Sequence, residues 1–403
     1  MTVHGAGPAV IRTAIAQADP LPGTLGFAGE VDGRLVRDVL GREPLFVESA
    51  RSPAESPPSD PLSAESTPRD PLSAESTPKD SLPSWAFDPT KLEEPVPFPA
   101  GAVLEESEID RLLEGDVAVE TRWSLPDPDP LPERDALERL DDSIRTAIDA
   151  VRSTDREIAV AFSGGVDSAL VAELLDAPLF VVGFPDSHDV DAARTAAAAM
   201  DRDLTVIDLE PADLERAVPA VARATGRTNA MDVQIALPLY LVGERVAREG
   251  FDALAVGQGA DELFGGYEKV VRLDHRVEAE TTRGAVREQI RSLPDQLPRD
   301  VLAVRATGLE PVAPLLHDAV VDAALRLPDD LLADEETRKR GFRRVAARYL
   351  PDDVASRDKK AVQYGSLVAR ELDRLARQAG YKRRMDDHVS KYVASLLEDA
   401  AEG

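Results

Sequence analysis

Between residues 133 and 256 the chain alternates short apolar runs with longer amphipathic stretches, and few folds can bury that pattern. The apolar runs at 157–162, 179–184, 204–209 and 253–256 are predicted strands. Helices are predicted at 134–152, 168–175, 190–200, 212–224 and 233–248. Within the first of these, Leu137, Leu140, Ile144, Ile148 and Val151 share one face. Strands apolar on both sides and separated by helices imply an α/β fold with a doubly wound parallel sheet. From residue 278 onward the pattern is helical, and no strand is expected.

The region before residue 133 reads differently. Short strand-like pieces at 24–27, 35–36, 44–47, 95–104 and 117–123 alternate with turns bearing Gly29, Gly33 and Gly41. They predict a small β-rich domain over 1–50 and 85–125. It is interrupted by a direct repeat, DPLSAESTPR at 60–69 and DPLSAESTPK at 70–79. A ten-residue period of Pro, Ser and Glu matches no packed solenoid and carries too few apolar groups to offset the entropy of ordering. Residues 51–84 are therefore expected to be a disordered linker or insertion. The Pro/Asp-rich stretch 126–132 marks the boundary to a third unit, 133–403.

Composition removes several functions. Across 403 residues there is no cysteine, which excludes disulfides, thiolate metal sites and a cysteine nucleophile. The five histidines do not fall at metal-ligand spacing. A net charge of −28 disfavours nucleic acid and anionic membranes as partners. No run of 18 apolar residues occurs and no signal pattern opens the chain, so a cytoplasmic location is expected. Basic residues divide into 39 Arg and 8 Lys. Many acids with few lysines suit a halophilic protein from a salt-accumulating host. The alternative is a merely acidic protein from a GC-rich genome. Activity and solubility at molar against low salt would separate the two: wild-type behaviour at low salt would sink the halophilic reading.

The segment Ser163-Gly164-Gly165-Val166-Asp167-Ser168 lies directly after a predicted buried strand and directly before a helix. In a parallel sheet that is the carboxyl edge, where ligands bind. Two glycines allow close backbone approach, and the helix N-terminus offers unpaired N–H groups to an anion such as pyrophosphate. Asp167 would repel a phosphate unless a cation lay between them, which assigns it to Mg²⁺. The loop lacks the G-x-x-x-x-G-K-[ST] spacing of kinases and motor ATPases. A Gly turn with Ser and Asp as ordinary helix caps is the structural alternative.

S-G-G-x-D-S resembles the pyrophosphate loop of enzymes that cleave ATP between the α and β phosphates. A second segment, Gly257-Gln258-Gly259-Ala260-Asp261-Glu262-Leu263-Phe264-Gly265-Gly266-Tyr267, is highly similar to the second signature of the asparagine synthetase family. Lys339 with Arg343, Tyr349-Leu350-Pro351 and Arg357-Asp358-Lys359 match further segments, so the resemblance runs over residues 133–378. It implies an adenine nucleotide alpha hydrolase-like fold with a helical C-terminal part, and ATP and Mg²⁺ as cofactors. Phe162 and Val182 would flank the nucleotide. Ser163, Gly164, Gly165 and Ser168 would hold the pyrophosphate, and Gly183, Gly257 and Gln258 would complete the nucleotide site. Asp167 and Asp261 would ligate the metal. Lys359 would stabilise charge on the phosphates, with Lys339 and Arg343 as further candidates. For the last two, a solvated cluster of helical charges is the alternative.

The chain also departs from that family. Glutamine-dependent members begin Met-Cys-Gly, whereas this chain begins Met1-Thr2-Val3-His4-Gly5. Residues 36–46 still resemble the family's R-D-x-L-G-x-x-P-L-Y strand pair, so the N-terminal region resembles a shrunken glutaminase domain without its nucleophile. Gln258 replaces a glutamate, and an amide cannot act as a base. Val312 and His317 stand where the family carries Arg and Asp. The expected activity is an AMP-forming amide ligase. It would adenylate a carboxylate, by default aspartate, and pass it to ammonia or another amine. A separate glutaminase is one expected source of the ammonia, and a second copy of the chain in a homodimer is a further expected partner. The alternatives are a ligase for another carboxylate metabolite, a tRNA-modifying ligase and a nucleotide-sensing relative without catalysis.

Overall fold

The computed structural model describes residues 2–48, 84–109, 111, 119–268, 270, 279–334, 337–357 and 366–402. The repeat at 60–79 and the linker expected at 51–84 fall outside these residues, Ser84 excepted. The first antiparallel sheet joins β1 (Thr2–Gly5), β2 (Phe27–Val31), β3 (Arg34–Arg37), β7 (Ala102–Glu105) and β8 (Glu120–Thr121), in that spatial order. A smaller sheet has the order β5-β4-β6, from β4 (Phe46–Glu48), β5 (Trp85–Ala86) and β6 (Pro95–Pro97).

The parallel sheet contains β9 (Ile158–Ala161), β10 (Leu179–Gly183), β11 (Leu204–Asp208), β12 (Ala253–Ala255) and β13 (Glu310–Val312). Its spatial order is β11-β10-β9-β12-β13, with every pairing parallel. Successive side chains go to opposite cores, as the two-residue period requires. Leu179 and Val181 join one core with the helix Glu133–Arg152, while Phe180 and Val182 join the other with the helices Pro211–Thr225 and Ala230–Arg248. Both faces are thus covered, which is why these strands can be apolar throughout.

The helix Glu133–Arg152 buries Leu137, Leu140, Ile144, Ala147, Ile148 and Val151 along one stripe. Glu133 and Asp135 lie in its first turn, where the helix dipole favours negative charge. After Glu278 the chain adds helices, including Thr282–Arg291, Leu293–Arg305, Asp318–Leu325 and Val368–Gln378. Among the described residues no helix is long and apolar enough to cross a membrane.

Several expectations need correction. β13 was not expected, because it is three residues long with Pro311 at its centre. Proline is tolerated there because β13 is an edge strand. The strand expected at 24–27 begins only at Phe27. Thr24 donates its N–H and hydroxyl to Asp318 (2.7 and 3.1 Å), so its N–H does not serve a sheet ladder. The piece expected at 95–104 splits between two sheets around the turn before Gly101. Strand β1 and the helix Pro8–Gln17 were not foreseen. That helix buries Ile11 and Ala14 and packs Ile15 against them, a helical spacing that the reading of this region as β-rich passed over.

A buried polar cluster docks the N-terminal sheets onto the α/β part. Arg42, 4% exposed, pairs with Asp38 (2.9 Å) and with Asp318 (2.7 Å) at the start of the helix Asp318–Leu325. It also donates to the Leu316 carbonyl at 2.7 Å. Burial opposes the charge on Arg42, but Asp318 and Asp38 more than offset it and raise its pKa. Replacing Arg42 with Met would leave two buried carboxylates facing each other. The expected cost is about 3–5 kcal/mol in urea unfolding. Removing Arg34 from its half-exposed pair with Glu105 should cost less than about 1 kcal/mol. Equal effects of the two changes would refute the docking role.

Candidate active site

The order of the parallel sheet positions the site. From β9 the chain winds outward through β10 and β11, then returns to β12 on the other side of β9. The loops leaving β9 and β12 therefore part at a topological switch point, where a crevice forms. Into this crevice open Ser163-Gly164-Gly165 after β9 and Gly257-Gln258-Gly259 after β12. Gly257 lets them touch: a Cβ there would lie 2.8 Å from the Asp167 carbonyl carbon and the Ser168 nitrogen.

Gly165 takes the N-cap position of the helix Val166–Leu175, which starts two residues earlier than expected. Gly165 carries no side-chain acceptor, so the first-turn N–H groups are oriented to meet an anion. The Ser168 hydroxyl braces the loop, lying 3.2 Å from the Ser163 hydroxyl, the Ser163 nitrogen and the Gly165 carbonyl. Gly164 (φ +72°) lies against the backbone of Ala192.

The resulting cavity holds about 500 Å³. Its lining includes the apolar Phe162, Val182, Ile235, Pro238 and Leu239 and the charged Asp167, Asp261, Lys339, Arg338 and Arg343. A cavity with both apolar and charged lining can take a nucleotide base and its phosphates. Of the sequence-predicted residues, Phe162, Ser163, Gly165, Asp167, Ser168, Val182, Gly257, Gln258, Asp261, Lys339 and Arg343 line this cavity. Gly183 closes β10 one residue beyond Val182. Lys359 lies outside the described residues.

Lys339 differs from its expected setting. It is not part of a helix or of a solvated cluster; it precedes the helix Arg340–Ala346 with φ +57° and is 6% exposed. Its ammonium lies 2.8 and 2.9 Å from the Asp167 carboxylate and 2.7 Å from Asp261. Burial works against this charge, but the two aspartates prevail and raise the pKa above the ordinary lysine value. Arg343 does something else. It donates to the carbonyls of Arg338, Ala355 and Arg357, and so braces the segment that carries Lys339.

Two carboxylates, each from the helix that follows one of these loops, thus converge on one cationic atom. Such a pair fits a hard divalent cation whose other ligands are phosphate oxygens and water. Among the described residues no three His, Cys, Asp or Glu side chains converge as a metal cage.

Sequence reasoning missed a second network. Gln258 donates to Asp300, which Arg299 also holds through two bonds (2.7 and 3.1 Å), and Arg299 reaches Asp232 at 2.8 Å. No local pattern links these residues, since Asp232 lies 67 residues from Arg299. Buried Glu262 accepts from the Tyr267 hydroxyl, and burial raises its pKa. Gln258 and Asp300 also form part of the wall of a second cavity of about 460 Å³, which reaches Gly5, Arg42 and Glu43 of the N-terminal sheets.

The asparagine synthase family model matches residues 139–292 and 274–401. A candidate glutamine-hydrolyzing asparagine synthetase of Methanocaldococcus jannaschii is 29% identical over 304 residues, 66% of this chain and 56% of that one. Asparagine synthetase B of Escherichia coli, also named glutamine-hydrolyzing, is 24% identical over 56% of this chain and 44% of its own. An asparagine synthetase domain-containing protein of Saccharomyces cerevisiae is 27% identical over 57% and 52%. The chain spans about half the length of these curated relatives. Since the matched model runs through both loops of the crevice and the helices behind them, the chain belongs to the asparagine synthase family.

Proposed function

We propose that this protein is an ATP-dependent, AMP-forming amide ligase, with aspartate as the default carboxylate and ammonia or another amine as acceptor. The observation that carries the reading is the convergence of both signature loops on one cavity, through Asp167, Asp261 and Lys339. We take residues 133–403 as its synthetase unit, and 1–50 with 85–125 as a remnant without glutaminase activity.

In the first step an oxygen of the substrate carboxylate attacks the α-phosphorus of ATP. The bond to the β-phosphate oxygen breaks, leaving an acyl-adenylate and pyrophosphate. In the second step an amine attacks the acyl carbon, AMP departs and the amide forms. Phe162 and Val182 bracket the base. The loop 163–165, Ser168 and the helix N-terminus receive the pyrophosphate. Bound Mg²⁺ would neutralise phosphate charge, with Asp167 and Asp261 as its protein ligands. Lys339, and Lys359 by its resemblance, supply positive charge to the leaving group. Gln258 cannot take a proton from an incoming ammonium; Asp300 is the carboxylate beside it. Positioning and preorganised charge would supply most of the rate.

One observation favours a different carboxylate. Val312 is buried at the end of β13, and His317 caps the helix Asp318–Leu325 by accepting from the Ala319 N–H at 3.1 Å. Where the resemblance expects an arginine and an aspartate, these two side chains serve packing and capping. A ligase for another carboxylate metabolite is therefore the second reading.

Acid-dependent pyrophosphate release is expected with Mg-ATP, high salt and a panel of carboxylic acids, with amide appearing when ammonia is added. Glutamine should not replace ammonia. If no acid triggers release with or without ammonia, the ligase reading fails, and ATP binding alone would point to a nucleotide sensor. Asp261→Asn should lower release by about a hundredfold or more by weakening the metal site. Release at the wild-type rate in that variant would refute the metal assignment.

A further inference from the structure

We infer that Lys339 is an internal counter-ion: it fills the cation position between Asp167 and Asp261 until ATP arrives, and so keeps divalent metal out of the nucleotide-free site. The inference rests on the proposed assignment of these two aspartates to the metal.

The geometry supports this in three ways. First, the ammonium contacts both carboxylates at 2.7–2.9 Å, in the space a cation held by both would fill. Mg²⁺ binds carboxylate oxygens at about 2.0–2.1 Å, so the two cations cannot share that space, and they repel each other. Second, the placement of Lys339 is built rather than incidental. Its backbone holds a left-handed conformation that non-glycine residues rarely adopt, and its side chain is almost wholly buried. Gly266 makes room for the pair: a Cβ there would lie 1.9 Å from an Asp261 carboxylate oxygen and 2.6 Å from the Lys339 Cε. Third, neighbouring cations are tied to main-chain carbonyls. Arg338 donates to Gly266, Arg343 to three carbonyls and Arg357 to Ala192. Lys339 instead carries a compact charge on a flexible stem, which can turn from carboxylate to phosphate oxygens.

Two converging carboxylates without a cation would repel each other. Lys339 removes that repulsion in the nucleotide-free protein. When phosphate oxygens enter beside the pair, they offer the ammonium an alternative anionic partner and complete the metal's ligand set. Metal and nucleotide binding are then coupled through one side chain.

The test is Mn²⁺ binding to the full chain, read by electron paramagnetic resonance and water-proton relaxation. It is run with no nucleotide and with α,β-methylene-ATP, which cannot be cleaved at that bond. Wild type should bind free Mn²⁺ weakly but form a ternary complex with Mn²⁺ and the analogue. Lys339→Met should raise affinity for free Mn²⁺ by about tenfold or more. Lys339→Gln, which can still hydrogen-bond both aspartates, serves the same purpose if the Met variant does not fold. Equal free-Mn²⁺ affinity in wild type and variants, with the ternary complex intact, would overturn the counter-ion role alone. Absence of a ternary complex in wild type would remove the metal assignment, and this inference with it.

Discussion

One ammonium group ties the site together. Lys339 reaches Asp167 at the start of the helix after β9 and Asp261 in the short helix after β12. It thereby joins three chain segments that are far apart in sequence. A buried charge is tolerated only when it is paired, and this one is paired twice. The arrangement depends in turn on the sheet. Because β9 and β12 are neighbours, their loops open side by side, and the two aspartates come within reach of one atom.

A second buried cation, Arg42, plays the corresponding role between the N-terminal sheets and the α/β part. It belongs to the segment 36–46, where the sequence resembles a glutaminase strand pair. In that segment Arg37 donates to the carbonyls of Glu43, Phe98 and Gly41, and Asp38 accepts from Arg42. The residues that carry the resemblance are thus consumed by turn closure and docking. Such a segment keeps a structural purpose whether or not a nucleophile precedes it. Its docking surface also borders the second cavity, where Gln258 and Asp300 form part of the wall.

The α/β core was legible because its signals are local. Apolar runs of strand length, and helices such as Glu133–Arg152 with one apolar stripe, declare themselves within a few turns of chain. The loop 163–168 was legible for the same reason, since its glycines and its place between strand and helix are contiguous. β13 was not, because a three-residue edge strand with a central proline has no periodicity to read. The helix Pro8–Gln17 was missed although Ile11, Ala14 and Ile15 fall at helical spacing, because the strand-like pieces around it set the reading. Lys339 and Arg343, four residues apart, looked equivalent, yet one is aimed at carboxylates and the other at carbonyls.

By itself, then, the sequence determined the α/β class, the glycine-bearing loop after β9, the second acidic segment after β12 and the absence of cysteine. Each of these is a property of residue type and short-range order. Only the tertiary structure decided which charges meet. The pairs Lys339 with Asp167, Arg42 with Asp318 and Arg299 with Asp232 span 172, 276 and 67 residues. Chain order carries no record of such contacts, because strand order and the burial of each group set the distances. Coulomb energy depends on those distances and on the surrounding dielectric.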